Sequence, residues 1–312
     1  MSGRTEDTPS SFLSLADWPG PALEDLLSRA SELKAGRARG ETVRSLEGRS
    51  VLLYFAKPSL RTFVTFDVGI AELGGHSVYL PFGQVSIGER EPIEDVARNL
   101  SRWCHGIVAR TYGHDVLEDL ARWGGVPVVN ALTDLLHPCQ AMADALTIQE
   151  NGDLRGGRLV YIGDGNNVSH SLIHLAGRMG MKLTVCTPPN YAPDAAIVRR
   201  GLELAGSSGG EIHLETDPRT AVKDATFLYT DVWASMGQED EAAERRVIFA
   251  PYQINRALVG AAPEGVKILH CLPAHRGDEI TAEVFESEAS LVFDQAENRL
   301  HVQKAILERL LA

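Results

Sequence analysis

The pattern that most constrains this chain is a repeated alternation of short apolar runs with amphipathic segments. Val51–Phe55, Gly106–Arg110, Val126–Asn130, Ala225–Thr230 and Val266–Leu269 are apolar on both faces, the signature of strands covered by helices on each side. His76–Leu80, Leu159–Ile162, Met181–Thr187, Glu211–Leu214 and Leu291–Phe293 read as further strands. The segments between them carry helical spacing, beginning with Leu23, Leu26, Leu27, Ala30 and Leu33 in Pro21–Lys34, where Gly36 is the expected stop. Helices are also expected through Phe66, Ile70 and Leu73, over Ile93–Trp103 and Val116–Trp123, and from Asn298 to Leu311. Alternation of this kind predicts an α/β fold with mainly parallel sheets flanked by helices. At 312 residues the chain exceeds one ordinary core, so two domains are expected.

Charge and cysteine usage narrow the function. A net charge of -12 argues against nucleic acid or anionic membrane as a partner, although a local arginine cluster can still hold a small anion. Cys104, Cys139, Cys186 and Cys271 lie far apart without metal-ligand spacing, so neither a disulfide framework nor a metal site is expected. Met1–Ser11 is polar and lacks the apolar region of a signal peptide, which reads as a cytoplasmic protein with a frayed start.

Chemistry-bearing residues gather where the apolar runs end. Pro58-Ser59-Leu60-Arg61-Thr62 follows the strand 51–55 and opens a helix near Arg61. Helix N-termini expose backbone N–H groups and the positive end of a dipole, Ser59 and Thr62 add hydroxyls, and Arg61 adds a planar fork suited to oxyanions. Taken alone, a cap followed by a solvated arginine is the simpler account. Arg110 ends its own strand, where ligands collect in open parallel sheets. In His137-Pro138-Cys139-Gln140, Pro138 suits the first turn of a helix running to about Glu150; His137 then stands at its start and Gln140 one turn in. A donor histidine for a carbonyl oxygen and a capping histidine both fit. Gly163-Asp164-Gly165 resembles a dinucleotide turn, but Val168 occupies the third glycine position and no acidic residue ends the strand at Thr187, so no nicotinamide cofactor is expected. Asn167 reads as an amide donor for a carboxylate, Asp231 ends a strand with Ser235 four residues on, and Gln238–Arg246 reads as a solvated charged run. Pro81–Pro92 is a polar loop containing Arg90, either a lid or an ordinary surface loop.

Together these residues resemble the aspartate/ornithine carbamoyltransferase family over roughly residues 11–311. The most specific pieces are His137-Pro-Cys-Gln140, Asp231-Val-Trp-Ala-Ser-Met-Gly237 and His270-Cys-Leu-Pro273, in the family's order. The Ser-Met-Gly element resembles the ornithine-type branch. Two departures stand out: the family's phosphate motif reads Ser-Thr-Arg-Thr-Arg, whereas Leu60 replaces its first threonine and Phe63 its second arginine. Leucine at the first position is similar to the branch using acylated ornithine.

The resemblance implies a carbamoyl phosphate-binding domain over 1–140, an ornithine-binding domain over 141–290, and a strand and helix over 291–312 returning to the first domain. It implies a cleft between the domains, a homotrimer in which the Arg90 loop reaches a neighbouring site, and no cofactor. Carbamoyl phosphate would be held by Ser59, Leu60 through its backbone, Arg61, Thr62 and Arg110. His137 would polarise the carbamoyl oxygen, Gln140 and the Leu272 carbonyl would hold the NH2, and Arg299 would close over the group. Ornithine would meet Asn167, Asp231, Ser235 and Met236, with Cys271 beside its side-chain amine. Arg61, Arg110, His137 and Cys271 carry the expected chemistry. Other acceptors (N-acylated ornithine, putrescine or aspartate) and a silent paralogue that only binds carbamoyl phosphate remain alternatives.

Overall fold

The computed structural model describes residues 8–80, 83, 87, 88, 90–234 and 239–312. The chain divides into two compact units, residues 1–143 with 298–312, and residues 144–297.

The first unit contains α1 (Gly20–Ala38), β1 (Ser50–Phe55), α2 (Leu60–Glu72), β2 (His76–Leu80), α3 (Ile93–Trp103), β3 (Gly106–Arg110), α4 (Asp115–Gly124), β4 (Val128–Leu132) and the start of α5 (Pro138–Asn151). Its four strands are all parallel, in the order β2-β1-β3-β4. The apolar runs behave as their composition demands: β3 is buried at every position, and Leu52, Tyr54, Ile107 and Ala109 pack with Leu100, Leu117 and Leu120 of α3 and α4. α1 runs past Gly36 to Ala38, where the Arg39 N–H closes the last turn on the Ala35 carbonyl. β4 starts two residues later than expected, because Pro127 has no N–H for a ladder and contributes only its carbonyl, to Ile107.

The second unit contains β5 (Arg158–Ile162), α6 (Asn167–Met179), β6 (Lys182–Cys186), α7 (Ala195–Ser208), β7 (Glu211–Glu215), α8 (Pro218–Ala221), β8 (Phe227–Thr230), α9 (Ala242–Phe249), α10 (Arg256–Val259), β9 (Lys267–His270), α11 (Ala282–Phe285) and the start of α12 (Val292–Leu311). Its sheet is again all parallel, in the order β7-β6-β5-β8-β9. The expected last strand at Leu291–Phe293 is corrected: only Ser290 bridges to Ile268, and from Val292 the chain is already helical. Three apolar residues fit the first turn of a buried helix as well as a strand.

In each unit the strand order reverses once beside the first strand. The crevice between β1 and β3 and the crevice between β5 and β8 are topological switch points, where ligands bind in open α/β sheets. Among the described residues no helix is long and apolar enough to cross a membrane. All four cysteines are buried and unbridged.

Candidate active site

At the β1/β3 switch point, Ser59 caps α2: its Oγ accepts from the Thr62 N–H at 3.3 Å and donates to the Thr62 hydroxyl at 2.9 Å. The first helical N–H groups, those of Leu60 and Arg61, have no acceptor among the described residues, as helix geometry requires. The Leu60 side chain is 76% exposed, so only its backbone belongs to the turn. Phe63, standing where the family motif has arginine, packs on Tyr79 with ring centroids 4.3 Å apart and edge-on to Phe55. That position has become an aromatic contact between α2 and the sheet.

Arg110 closes β3 beside this turn, and its carbonyl accepts from the Ala56 N–H at 2.8 Å. Arg299 reaches the same place from α12, donating to Thr62 Oγ1 at 2.9 Å and to Gln140 Oε1 at 3.1 Å. Burial, then the charges of Arg299 and Arg61, push the Arg110 guanidinium down to about 10; Asp134 opposes them weakly. His137 is wholly buried at the start of α5, and burial with the same two neighbours, Arg299 and Arg110, holds its pKa well below the usual range. At neutral pH it is an uncharged imidazole able to donate from one nitrogen. The first unit therefore gathers Ser59, Leu60, Arg61, Thr62, Arg110, His137, Gln140 and Arg299 around one helix N-terminus.

Lys57 escaped the sequence reading. It is buried two residues ahead of the cap, pairs with Asp134 and lies 4.1 Å from the centroid of the Tyr112 ring. It ties the turn ahead of α2 to the segment leading into His137.

In the second unit, Asp231 follows β8 and stands beside the β5 turn. Its Oδ1 accepts from the Val232 N–H at 2.8 Å and from the Cys271 thiol at 2.9 Å, and its Oδ2 from Asn166 Nδ2 at 2.8 Å. Burial, then the Asp231 charge, raises the Cys271 pKa well above the ordinary thiol value, so this sulfur is a thiol donor and not a thiolate. The adjacent His270 does not activate it: its nitrogens face the Leu272 N–H and Glu279. Asp231, His270 and Cys271 form the one group among the described residues whose ligand atoms could converge on a metal, but both imidazole nitrogens are already engaged. Leu272 has φ +60°, a conformation costing a branched side chain about 1–3 kcal/mol, and a cis peptide bond joins it to Pro273.

The amide neighbour of Asp231 is Asn166, 65 residues away in sequence. Asn166 caps α6 by accepting from Val168 and Ser169, and it receives the Tyr161 hydroxyl at 3.3 Å. Asn167 is the first residue of α6 and half-buried. Gly165 is explained without a dinucleotide: a Cβ there would lie 2.4 Å from the backbone of Ala192 and Pro193. Ser235 and Met236 lie outside the described residues, as does most of Pro81–Ser86; Arg90 is described and exposed.

The expectation that Gln238–Arg246 is solvated fails at Arg245. Its guanidinium is buried and donates to Asp164 Oδ2, to the Trp233 carbonyl and to Glu241 Oε2, each at 2.9 Å, while lying 5.1 Å from the Tyr191 ring centroid. A helix-spaced arginine in an acidic run reads as surface, and its partner Asp164 is 81 residues away in sequence. Burial raises the Asp164 pKa. Its charged form is thus disfavoured in the fold, at a cost that appears above the ordinary carboxylate range and fades as the pH falls. Arg245→Met, which strands that charge, is expected to cost about 3–5 kcal/mol at pH 7.5 and less at pH 5, read from denaturant unfolding. A loss independent of pH would assign the effect to packing on Tyr191 instead.

Residues 10–150 match the family model "Aspartate/ornithine carbamoyltransferase, carbamoyl-P binding domain", and residues 155–310 match "Aspartate/ornithine carbamoyltransferase, Asp/Orn binding domain". The chain is 48% identical over 301 residues to ornithine carbamoyltransferase of Anoxybacillus flavithermus, covering 96% of each chain. It is also 48% identical over 297 residues to the anabolic ornithine carbamoyltransferase of Pyrococcus furiosus, covering 95% of this chain and 94% of the relative. The solved structure of an ornithine carbamoyltransferase from Pyrococcus furiosus superposes with a TM-score of 0.95 at 46% identity, covering 99% of both chains.

Proposed function

Since this chain belongs to the aspartate/ornithine carbamoyltransferase family, we propose that it transfers the carbamoyl group of carbamoyl phosphate to the δ-amine of L-ornithine, giving L-citrulline and phosphate. The observation that carries this reading is the convergence of Arg61, Arg110 and Arg299 with a neutral His137 at the N-terminus of α2. A dianionic leaving group needs that density of positive charge, and a developing carbonyl oxyanion needs donors already aimed at it. In this reading Ser59, the Leu60 backbone, Arg61, Thr62 and Arg110 hold the phosphate. His137 donates to the carbamoyl oxygen, Arg299 covers it, and Gln140 and the Leu272 carbonyl hold the NH2. Ornithine meets Asp231, Asn167, Ser235 and Met236, and Asn166 supports Asp231. Cys271 supports Asp231 too and stands beside the amine. The amine lone pair attacks the carbamoyl carbon, the electrons of the C–O bond leave with phosphate, and the proton lost by the nitrogen ends on the departing phosphate. No covalent enzyme intermediate is needed.

By the family resemblance the enzyme is a cytoplasmic homotrimer; buried, unbridged cysteines suit a reducing compartment, and sedimentation tests the trimer. The function is tested by assaying purified protein with carbamoyl phosphate against ornithine, N-acetylornithine, putrescine and aspartate. Citrulline formation is expected to dominate and to rise toward alkaline pH, because the neutral amine becomes about tenfold commoner per pH unit below its pKa. Preference for another acceptor, or no turnover at all, would overturn the assignment. Cys271→Ala is expected to lose about tenfold in activity, the worth of one hydrogen bond to Asp231. A near-complete loss, with carbamoylated Cys271 trapped in the parent, would replace direct attack by a covalent route.

A further inference from the structure

β9 ends on His270, and the turn after it carries Cys271 and Leu272. His270 and Glu279 have no exposed side-chain surface. His270 Nδ1 lies 2.9 Å from the Leu272 nitrogen and accepts its N–H, so Nδ1 bears no proton. The imidazole proton then resides on Nε2 and is donated to Glu279 Oε1 at 3.0 Å. The same oxygen accepts the His275 N–H at 2.5 Å. One carboxylate oxygen thus anchors both ends of the segment 271–275, its start through His270 and Leu272, its end through His275. On the other side, the His270 N–H donates to Gln295 Oε1 at 2.8 Å, and Gln295 Nε2 to Asp144 Oδ1 at 2.6 Å.

From this chain of contacts we propose that Glu279 is a positioning residue for carbamoyl transfer. It selects the Nε2–H tautomer of His270 and thereby holds the Leu272 backbone in its left-handed conformation at φ +60°. The proposal rests on the reading above, in which the Leu272 carbonyl receives the carbamoyl NH2. Without the carboxylate, the buried Nε2–H has nowhere to donate. Moving the proton to Nδ1 sets it against the Leu272 N–H, donor facing donor, and the turn loses its anchor. Holding a reacting group to within a fraction of an ångström is the work that such supporting residues do.

The test compares four variants with the parent in the citrulline assay, alongside thermal unfolding. Glu279→Gln keeps the volume and one acceptor oxygen, and is expected to stay within tenfold of the parent. Glu279→Ala is expected to lose about 100-fold in kcat, with a smaller change in KM for carbamoyl phosphate, whose phosphate is held by the first unit. His270→Asn keeps an acceptor where Nδ1 sits; His270→Gln keeps only the reach toward Glu279. Asn is expected to exceed Gln by at least tenfold in kcat at matched melting temperature. Equal activities for these two, or a Glu279→Ala protein that melts lower with unchanged kcat, would overturn the proposal. Nitrogen-15 spectra of labelled histidine read the tautomer whether or not citrulline forms. A pure Nε2–H signal for His270 in the parent that becomes mixed in Glu279→Ala is expected, and an Nδ1–H signal in the parent would reject the assignment. Failure of the parent to make citrulline would fail the functional reading, and the spectra would still decide the tautomer.

Discussion

Replacing Arg110 with methionine is expected to weaken carbamoyl phosphate binding at least about 100-fold and, at the same time, to raise the melting temperature of the unliganded protein. The two effects share a cause. Arg110 is buried at the end of β3 among two further arginines, which together with burial push its pKa down to about 10. The gap from an ordinary arginine corresponds to a folding penalty on the order of 3 kcal/mol. The sign follows from linkage: a cation whose pKa falls on folding carries that penalty in full at every pH below about 10, and the penalty fades as the pH climbs toward the ordinary arginine value. Methionine fills much of the same volume without the charge. A phosphate dianion reverses the balance, since each charge-assisted bond it makes is worth about 1.5–3 kcal/mol and the mutual repulsion of the arginines is relieved. Calorimetric titration and thermal unfolding of the same preparation check both halves. A variant that binds as tightly as the parent, or one that melts well below it, would refute the account.

Asp231→Asn is expected to cut ornithine affinity about 100-fold and to leave carbamoyl phosphate affinity within a factor of two. On the function proposed above only the amino acid brings a cation to the end of β8, so only its binding should feel the lost charge. The local hydrogen bonding makes the change harsher. Asp231 receives three donors, from Asn166, Val232 and Cys271, and an asparagine NH2 must confront at least one of them. Titration with ornithine and with norvaline, which lacks the side-chain amine, separates the two causes. Loss of the preference for ornithine over norvaline is expected; equal weakening of carbamoyl phosphate would mean that Asp231 serves the fold.

Local features of this protein were legible in its sequence, and distant pairings were not. The cap at Ser59 could be read because its partner Thr62 is three residues away, and α2 begins at Leu60, one residue before Arg61. The buried strands β1 and β3 could be read because sheets covered on both faces impose continuous apolarity. The last strand failed, since a run as short as Leu291–Phe293 carries no period to distinguish it from the first turn of α12. The contact of Asn166 with Asp231 could not be read, because the two lie 65 residues apart and only the fold brings them together. Arg245 and Lys57 were invisible as site supports because their ionic partners, Asp164 and Asp134, lie 81 and 77 residues away. Arg299 reaches Gln140 and Thr62 across 159 and 237 residues, and it entered the sequence reading only through family resemblance.

The division of the first unit between residues 1–143 and 298–312 bears on how the chain emerges from the ribosome. Its sheet is complete by Leu132, yet Val302, Ile306 and Leu307, all buried, are made only after the whole second unit. At ~5–20 residues per second, translating the intervening stretch of about 150 residues takes on the order of ten seconds or more. During that interval the nascent unit lacks the helix that packs against α1 and α2, a window in which a chaperone would find apolar surface. It also lacks Arg299, so the arginine cluster at the start of α2 stays short of one cation until α12 is made. On the function proposed above, a chain stalled before α12 would therefore hold carbamoyl phosphate poorly.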